Sequence, residues 1–364
     1  MFSSHQHDHV VHAIRLLLMQ NMTTNHKQLA MLKQLGYLLL LSLLIISCKA
    51  RHATTYTKVN GFTQGTTFNI IYSDSAGRDF SKAFDSIFQA VDRSLSVYND
   101  SSIISRLNRN EIDTVDALLA GVIAISDSIY HETDGAFDIT VGPVVRELGF
   151  GPEQHAGIDS TKIKALQQLI GMSKISMVGN RLKKDNPNIQ IDVNAVAQGY
   201  TSDLVARFLR SKGVKNYMVE VGGEIMANGV NSRGTPWIVG IDKPVENALP
   251  GENFQARFYF PGPRGMSTSG NYRKFIEVNG IKYAHTINPK TGFPAMSNLL
   301  SATVIAPTAA RADGLATAFM VNGLDWSRNF VNSHTRVEAY LIYSDSTGKF
   351  NVWVSEGLKS SLIK

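Results

Sequence analysis

The stretch YMVEVGGEIMANG, residues 217–229, marks the point at which the pattern of the chain changes from alternating helices and strands to mostly strands. Its first five residues have the apolar and β-branched character of a buried strand. Two glycines follow, and a glycine pair after a strand forms a tight turn or lets the backbone approach a ligand closely. Taken alone, the pair indicates a turn more often than a ligand site.

The residues on the two sides of this stretch predict an α+β fold. Before it, the pattern predicts strands at 66–72 and 189–193, and helices at 80–95, 118–129 and 195–211. After it, the pattern predicts strands at 237–241, 256–260, 338–343 and 350–354, a hairpin turning at Asn279-Gly280, and helices at 309–321 and 326–331. This order is not a regular βαβ alternation, so we expect mixed or antiparallel sheets with packed helices.

The composition is that of a globular protein without nucleic-acid-binding character. Of 364 residues, 43% are hydrophobic and 18% are charged, which is enough apolar material for a large core, in one large domain or in two close lobes. The formal net charge is +6. The basic residues are scattered and form no block interleaved with aromatic residues, so nucleic-acid binding is not expected.

The N-terminal segment has the features of a bacterial export signal. Lys33 precedes an apolar run from Tyr37 to Ile46. This run is short against the roughly 20 residues that a transmembrane helix needs, but it suits a signal peptide. Residues 45–48, Ile-Ile-Ser-Cys, resemble a lipobox, which predicts that Cys48 carries a lipid. The alternatives are an uncleaved anchor helix or a buried helix with a core cysteine.

These features predict the domain organisation and the location of the protein. Residues 1–47 are interpreted as an over-long start followed by a lipoprotein signal peptide, with Met31 as a better initiator. Residues 48–60 are predicted to be a lipid-anchored linker, and residues 61–358 the functional domain. We expect an exported lipoprotein anchored to the membrane on the periplasmic side, with the inner membrane favoured. Cys48 is the only cysteine, so the exported part has no disulfide.

The segment RADGLATA, residues 311–318, is a candidate metal site. Asp313 and Thr317 lie four residues apart on a predicted helix, so a carboxylate and a hydroxyl share one face. Hard oxygen ligands of this kind suit Mg²⁺. The alternative is an aspartate that caps the helix and a threonine that bonds to its own helix.

The segment YAHTINPKTGFPA, residues 283–295, is a candidate catalytic loop. Its two prolines and its Thr-Gly pair predict a strand that runs into a rigid turn beside His285. A histidine has a reference pKa near 6.5, so its imidazole can accept a hydroxyl proton or, when charged, hold a phosphate oxygen. The alternative is a structural histidine that forms a hydrogen bond within the turn.

Taken together, the motifs resemble the FAD:protein FMN transferase family, bacterial lipoproteins formerly labelled as thiamine-biosynthesis proteins. The resemblance covers about residues 61–355 and rests on eight ordered segments. They are QGT (64–66), SVY (96–98) with Asn108, TDGAFDITVGPVV (133–145) with LGFG (148–151), IDVNAVAQGYTSD (191–203), VEVGGEIMANG (219–229) with PWIVGID (236–242), STSGNYRKF (267–275), HTINPKTGFP (285–294), and TVIAP (303–307) with ADGLATAFMV (312–321). The family has a similar α+β fold.

The resemblance implies roles for individual residues. It implies metal ligation by Asp313, Thr317 and the main-chain carbonyl of Ala195, with His285 and Asp313 as catalytic residues. It implies FAD contacts by Gln64, Tyr98, Ala136, Phe137, Asp138, Asp192, Gln198 and the backbone near Ile287. Thr268 and Ser269 are further candidates for phosphate contacts. The chain departs from the family at Gln64, where methionine is common, and at Gln198, where lysine is common.

The implied activity is Mg²⁺-dependent transfer of the FMN half of FAD onto a Ser or Thr hydroxyl of an exported acceptor protein, with release of AMP. Acceptors of the family carry Asp, two variable residues, Ser or Thr, Gly, Ala, and Ser or Thr, written D-x-x-[ST]-G-A-[ST]. The chain lacks the Ser/Thr-Gly-Ala-Ser/Thr part of this pattern, so we do not expect it to modify itself. Two alternatives stay open: an FAD pyrophosphatase that yields free FMN and AMP, and a non-catalytic flavin-binding lipoprotein.

Overall fold

The computed structural model describes residues 55–151, 159–244, 253–260, 262–271, 275–278 and 281–363, with six isolated positions before residue 35. The chain divides into two units, Met1–Ala53 and Thr54–Lys364. The predicted signal peptide lies almost entirely outside the described residues, and so does Cys48. No helix in the described part of the chain is both long enough and apolar enough to cross a bilayer.

The second unit is built on an antiparallel sheet. Its strands are β1 (Tyr56–Thr63), β2 (Thr66–Ser73), β3 (Ile175–Val178), β4 (Arg181–Lys184), β5 (Asn216–Val221), β6 (Glu224–Asn228), β7 (Trp237–Asp242), β8 (Phe254–Phe260), β9 (Arg264–Gly270), β10 (Phe275–Val278), β11 (Ile281–Ala284), β12 (Leu299–Ala306), β13 (Glu338–Ser344) and β14 (Phe350–Val354). Eight of them form the main sheet in the order β1-β2-β5-β6-β9-β12-β13-β14. The other six pair as three two-stranded sheets, β3-β4, β7-β8 and β10-β11.

The helices of the described residues are α1 (Ser81–Leu95), α2 (Ile103–Asn108), α3 (Ala117–Glu132), α4 (Gly142–Glu147), α5 (Ser160–Gln167), α6 (Ala197–Ser211), α7 (Ala309–Asn322), α8 (Leu324–Ser333) and α9 (Glu356–Lys359). Five of them, α1, α3, α6, α7 and α8, lie where the sequence pattern predicts them, and the other four were not predicted. Helix α1 buries an i, i+4 stripe that includes Phe84, Phe88 and Leu95. The combination of an antiparallel sheet and packed helices confirms the predicted α+β class.

Different elements pack against the two faces of the main sheet. On one face, Val304 of β12 and Met226 of β6 belong to apolar clusters that include residues of α6 and α7. On the other face, Ile305 and Ala227 pack in a cluster with the β7-β8 hairpin, including Trp237. Alternation along each strand therefore decides which side chains face the helices.

The predicted strand at 189–193 is wrong, and its buried alternation has another cause. Ile189, Ile191 and Val193 are buried, as in a strand, but no strand forms there. The backbone of Ile191 instead bonds at both its N–H and its C=O to the side-chain amide of Asn108, at 2.8 Å each. The N–H of Asp192 donates to the carbonyl of Ile139 at 2.7 Å. These partners satisfy the buried backbone without a neighbouring strand.

The ordered fold begins before the predicted domain boundary at residue 61. Strand β1 starts at Tyr56 and pairs along its whole length with β2, from Tyr56 opposite Ser73 to Thr63 opposite Thr66. Residues 56–60 are thus part of the edge strand of the main sheet, although the sequence placed them in the linker.

Candidate active site

Asp313 lies at the junction of helices α6 and α7 with the main sheet. Its side chain is buried, with the residue 6% exposed. Its Oδ2 accepts a hydrogen bond from the N–H of Gly199 at 3.2 Å, and its Oδ1 accepts one from Ser267 Oγ at 3.2 Å. The cap of α7 is Thr308, whose side chain accepts from the N–H of Arg311. The alternative that Asp313 caps its own helix is therefore wrong.

The start of α6 depends on α7 for its hydrogen bonds. Val196 precedes α6 and offers no capping side chain, so Asp313 accepts from the first turn of α6 instead. In the opposite direction, the carboxylate of Asp203 on α6 accepts from the N–H groups of Ala309 and Ala310 at 2.9 Å each. A Cβ on Gly199 would lie 2.5 Å from the carbonyl oxygen of Ala309, so only glycine allows this close approach.

A second carboxylate, Glu224 on β6, lies beside Asp313. Ser267 Oγ is 3.3 Å from Glu224 Oε1 as well as 3.2 Å from Asp313 Oδ1. Glu224 is 7% exposed, and its Oε2 has no hydrogen-bond partner among the described residues. No ion pair joins either carboxylate to a Lys or Arg in this part of the chain. The two acids therefore share one hydroxyl, and no described Lys or Arg pairs with them.

Burial controls the ionisation of these acids. It raises the pKa of Asp313 to about 7, with the nearby Asp203 adding to the effect and the Gly199 and Ser267 donors opposing it. Burial, followed by the proximity of Asp313, raises the pKa of Glu224 well above its ordinary value. Burial also raises the pKa of Asp203 to about 6 against the stabilising N–H donors of Ala309 and Ala310. Beside Asp313 and Glu224, a divalent cation would supply the positive charge that no described residue provides.

The oxygen atoms around Asp313 fit a hard cation. Thr317 lies one turn further along α7 and is half-buried, and its hydroxyl makes no hydrogen bond within the described residues. The carbonyl oxygen of Ala195, which precedes α6, likewise accepts none there. The described residues contain no cluster of three or more His, Cys, Asp or Glu suited to a metal. Together these residues would offer a cation carboxylate, hydroxyl and carbonyl oxygen, the ligand types that Mg²⁺ prefers, whereas zinc typically takes nitrogen and sulfur ligands.

Alternation along β9 separates the three hydroxyls of the STSG segment. Ser267 faces the helices and reaches Asp313, whereas Thr268 faces the other side of the sheet and bonds to Thr303 Oγ1 at 2.9 Å. Ser269 shares the side of Ser267. Of the two predicted phosphate contacts, Ser269 lies on the face of the site and Thr268 does not.

Gln198 lies in the first turn of α6, and Gln64 contacts the same helix from the β1-β2 turn. Gln64 occupies the β1-β2 turn with φ of 51°, followed by Gly65 with φ of 71°, as in the tight turns that suit a hairpin. Its Nε2 donates to Thr201 Oγ1 at 2.8 Å. The side chain of Gln198 lies against Gly222 of the β5-β6 turn. A Cβ added to Gly222 would be 2.8 Å from the Cδ of Gln198. The glycine pair therefore makes a turn and also leaves room for this amide.

Tyr98, in the loop between α1 and α2, lies near Asp192 on the segment that leads into α6. Tyr98 is 60% exposed and presents its ring to solvent. Asp192 accepts from the N–H of Asn194 at 2.8 Å. Partial burial, and secondarily the charge of Asp192, raises the pKa of Tyr98, and burial raises the pKa of Asp192. This pair offers an exposed aromatic face beside an acceptor for hydrogen bonds.

Ala136, Phe137 and Asp138 are part of the interior. Ala136 and Phe137 are buried in the core cluster, so only their backbone can reach a ligand. Asp138 accepts from the N–H and the Oγ1 of Thr140 at 2.8 and 2.6 Å, and from the N–H of Met172 at 3.2 Å. Its carboxylate thus caps the turn at Ile139–Val141 and links two loops.

The loop that carries His285 and Ile287 packs beside helix α4. The His285 ring lies edge-on to Phe150, with centroids 6.3 Å apart. Ile287 is buried in a small cluster with Val144 and Leu148. Lys290 Nζ lies 2.7 Å from Asp134 Oδ2. The structure therefore joins the loop HTINPKTGFP to the loop TDGAFDITVGP.

Sequence reasoning missed Glu224, Ser267 and Asp203. The signal for Glu224 was a charged residue at the start of an otherwise apolar strand, and for Asp203 an acid on the apolar face of α6. Neither signal indicates a partner, because both contacts join segments that are distant along the chain.

Solved structures with this fold identify the class of the protein. The chain resembles the flavin transferase ApbE from Vibrio cholerae, with a TM-score of 0.74 and 32% identity over 84% of this chain and 99% of that one. It resembles the apo flavinyl transferase ApbE of Pseudomonas stutzeri with a TM-score of 0.74 and 30% identity over 83% of this chain and 95% of that one. The protein is an enzyme of the flavin transferase class.

The sequence comparisons give the family. The model of the ApbE family matches residues 64–341. The chain is 36% identical over 326 residues to the FAD:protein FMN transferase of Escherichia coli (strain K12), covering 86% of this chain and 91% of that one. It is 35% identical over 297 residues to the FAD:protein FMN transferase of Vibrio cholerae, covering 79% of this chain and 88% of that one. The chain belongs to the ApbE family, and its activity is flavin transfer.

Proposed function

We propose that the protein uses Mg²⁺ to transfer the FMN half of FAD onto a Ser or Thr hydroxyl of an exported acceptor protein, releasing AMP. The observation that carries this proposal concerns the oxygen atoms at the α6-α7 junction: the buried carboxylate of Asp313, and the oxygens of Thr317 and Ala195, which make no hydrogen bond within the described residues. In a flavin transferase, a hard-cation site of this kind suits a pyrophosphate substrate.

The proposed reaction is a displacement at phosphorus. The acceptor oxygen forms a bond to the FMN phosphorus, the bond from that phosphorus to the bridging oxygen breaks, and AMP leaves with the electron pair. When bound, Mg²⁺ neutralises charge on the pyrophosphate. His285 takes the hydroxyl proton. Tyr98 stacks on a ring of FAD. Asp192 accepts hydrogen bonds from the FAD molecule.

We also propose that the enzyme acts outside the cytoplasm, anchored to the periplasmic side of the inner membrane by a lipid on Cys48. The support is the apolar run from Tyr37 to Ile46 followed by Ile-Ile-Ser-Cys. The proposed partner is an exported protein with the pattern D-x-x-[ST]-G-A-[ST].

The test uses the full chain purified in detergent with FAD, Mg²⁺ and an acceptor bearing this pattern. We expect the acceptor mass to rise by one FMN less one water, with fluorescence that survives denaturation and an equal amount of AMP. An acceptor whose last Ser or Thr is changed to Ala gives no adduct. Chelation of the metal abolishes adduct and AMP together.

A matched pair of histidine variants tests the proton acceptor. His285→Ala should lose transfer while FAD still binds, whereas His131→Ala, at an exposed position on α3, should behave as the unchanged protein. If AMP and free FMN form at the same rate with or without acceptor, the protein is a pyrophosphatase. If FAD binds and stays intact with every acceptor, it is a flavin-binding protein.

A further inference from the structure

Glu224 is a buried acid for which the proposed reaction has no use. It starts β6, directly across the sheet from Ser267 of β9, because the register pairs Ile225 with Met266. Its backbone carbonyl accepts from Ser202 Oγ of α6 at 2.8 Å. The residue is therefore held between the sheet and the two helices that carry the proposed cation ligands.

Counting hydrogen-bond donors shows what the site lacks. Asp313 and Glu224 present four carboxylate oxygens. Gly199 donates to one of them, and the single hydroxyl proton of Ser267 must serve Asp313 Oδ1 or Glu224 Oε1. Glu224 Oε2 is buried without a partner. A buried carboxylate without a partner is costly, so such an arrangement persists where a ligand completes it.

We propose that Glu224 is a positioning residue of the divalent-cation site. Its Oε1 shares the one hydroxyl proton of Ser267 with Asp313 Oδ1 and so affects the position of that oxygen. Its Oε2 accepts a hydrogen bond from water carried by the cation. Acids that act through a first ligand in this way orient the ligand and strengthen binding. Mg²⁺ keeps several of its waters in protein sites, so a water-directed acceptor suits it. The proposal rests on the proposed function of the site.

The experiment measures Mn²⁺ binding to the full, metal-free chain by electron paramagnetic resonance, with and without FAD. Mn²⁺ replaces Mg²⁺ because Mn²⁺ is paramagnetic and gives a signal. Glu224→Gln should weaken Mn²⁺ binding about 10- to 100-fold, and Glu224→Asp should restore part of the loss. The control is Glu356→Gln, an exposed acid of α9 whose carboxylate pairs with Lys359. That control should leave binding unchanged.

Thermal unfolding of the metal-free variants separates positioning from a structural role. The amide of Glu224→Gln has the size of the carboxyl group that it replaces, so the melting temperature of the metal-free variant should change little, while the stabilisation by added Mn²⁺ shrinks. A lower melting temperature with unchanged Mn²⁺ affinity overturns the inference. Should Glu224→Gln fail to fold, Ser267→Ala removes the same bridge with a small side chain, and unchanged Mn²⁺ affinity in that variant overturns the inference equally.

The same titration distinguishes failure of this inference from failure of the proposed function. If the unchanged protein binds no Mn²⁺ with or without FAD, the metal-dependent function is wrong, and the inference falls with it. If the unchanged protein and Asp313→Asn differ in affinity while Glu224→Gln matches the unchanged protein, the cation site stands and only the role of Glu224 is wrong.

Discussion

Asp203 and Asp313 lie on two packed helices, and each carboxylate accepts hydrogen bonds from the first turn of the other helix. Asp203 of α6 holds the N–H groups of Ala309 and Ala310, and Asp313 of α7 holds that of Gly199. Each helix end thus gains a negative charge near its positive dipole end. The exchange fixes α7, which carries Asp313, against the start of α6, which Ala195 with its proposed carbonyl ligand precedes.

The first prediction concerns the pH dependence that Asp203 gives to stability. Its pKa is about 6 in the folded chain against 3.8 as the reference, so the folded state keeps a proton that the unfolded state loses. The contribution of Asp203 to the free energy of unfolding therefore falls by about 3 kcal/mol as the pH rises from about 4 to about 6. Above pH 6 this contribution no longer changes. Urea unfolding of the metal-free protein at several pH values measures it. Asp203→Asn should flatten this part of the curve; parallel curves for both proteins would contradict the assignment.

The second prediction concerns Asp313 as a metal ligand. Asp313→Asn should lower Mg²⁺-dependent transfer by about a hundredfold or more, because the amide lacks the charge that holds the cation. The fold should persist, since Thr308 and not Asp313 caps α7. As a control, Thr308→Ala should cost about 1 kcal/mol of stability and leave Mg²⁺ binding intact. Near-normal activity of Asp313→Asn would eliminate it as a ligand.

The third prediction concerns the missing positive charge at Gln198. Gln198→Lys should tighten FAD binding about three- to tenfold at low ionic strength, with a smaller effect at high salt because exposed charges are screened. Gln198→Met, similar in length but uncharged, is the control and should not tighten it. Fluorescence titration of FAD gives the affinities. Unchanged or weaker binding by the lysine variant would mean that the amide has its own role.

The fourth prediction concerns the lipid anchor. Cys48→Ser should leave the second unit folded but move the protein from the membrane to the soluble exported fraction, because the modified thiol is lost. Fractionation of cells followed by mass measurement of the N-terminus tests it. If the variant stays in the membrane with residues before 48 intact, the N-terminal segment is an uncleaved anchor.

The sequence by itself determined the elements whose pattern is local. Helical spacing located α1, α3, α6 and α7 within a few residues, since a helix repeats every 3.6 residues whatever lies beside it. The same periodicity placed Asp313 and Thr317 on one face of α7. The ordered motifs identified the family, which the comparisons confirm.

Tertiary structure alone decided which distant groups meet. Ser267 is 43 residues from Glu224 and 46 from Asp313, and it touches both because strand register and helix packing bring three elements to one point. The strand predicted at 189–193 failed for the same reason, since the side chain of Asn108, 83 residues away, supplies the backbone partners of Ile191. Periodicity is set by the backbone of one segment, whereas register and packing depend on the combined burial of many segments and leave no mark in the sequence of any one of them.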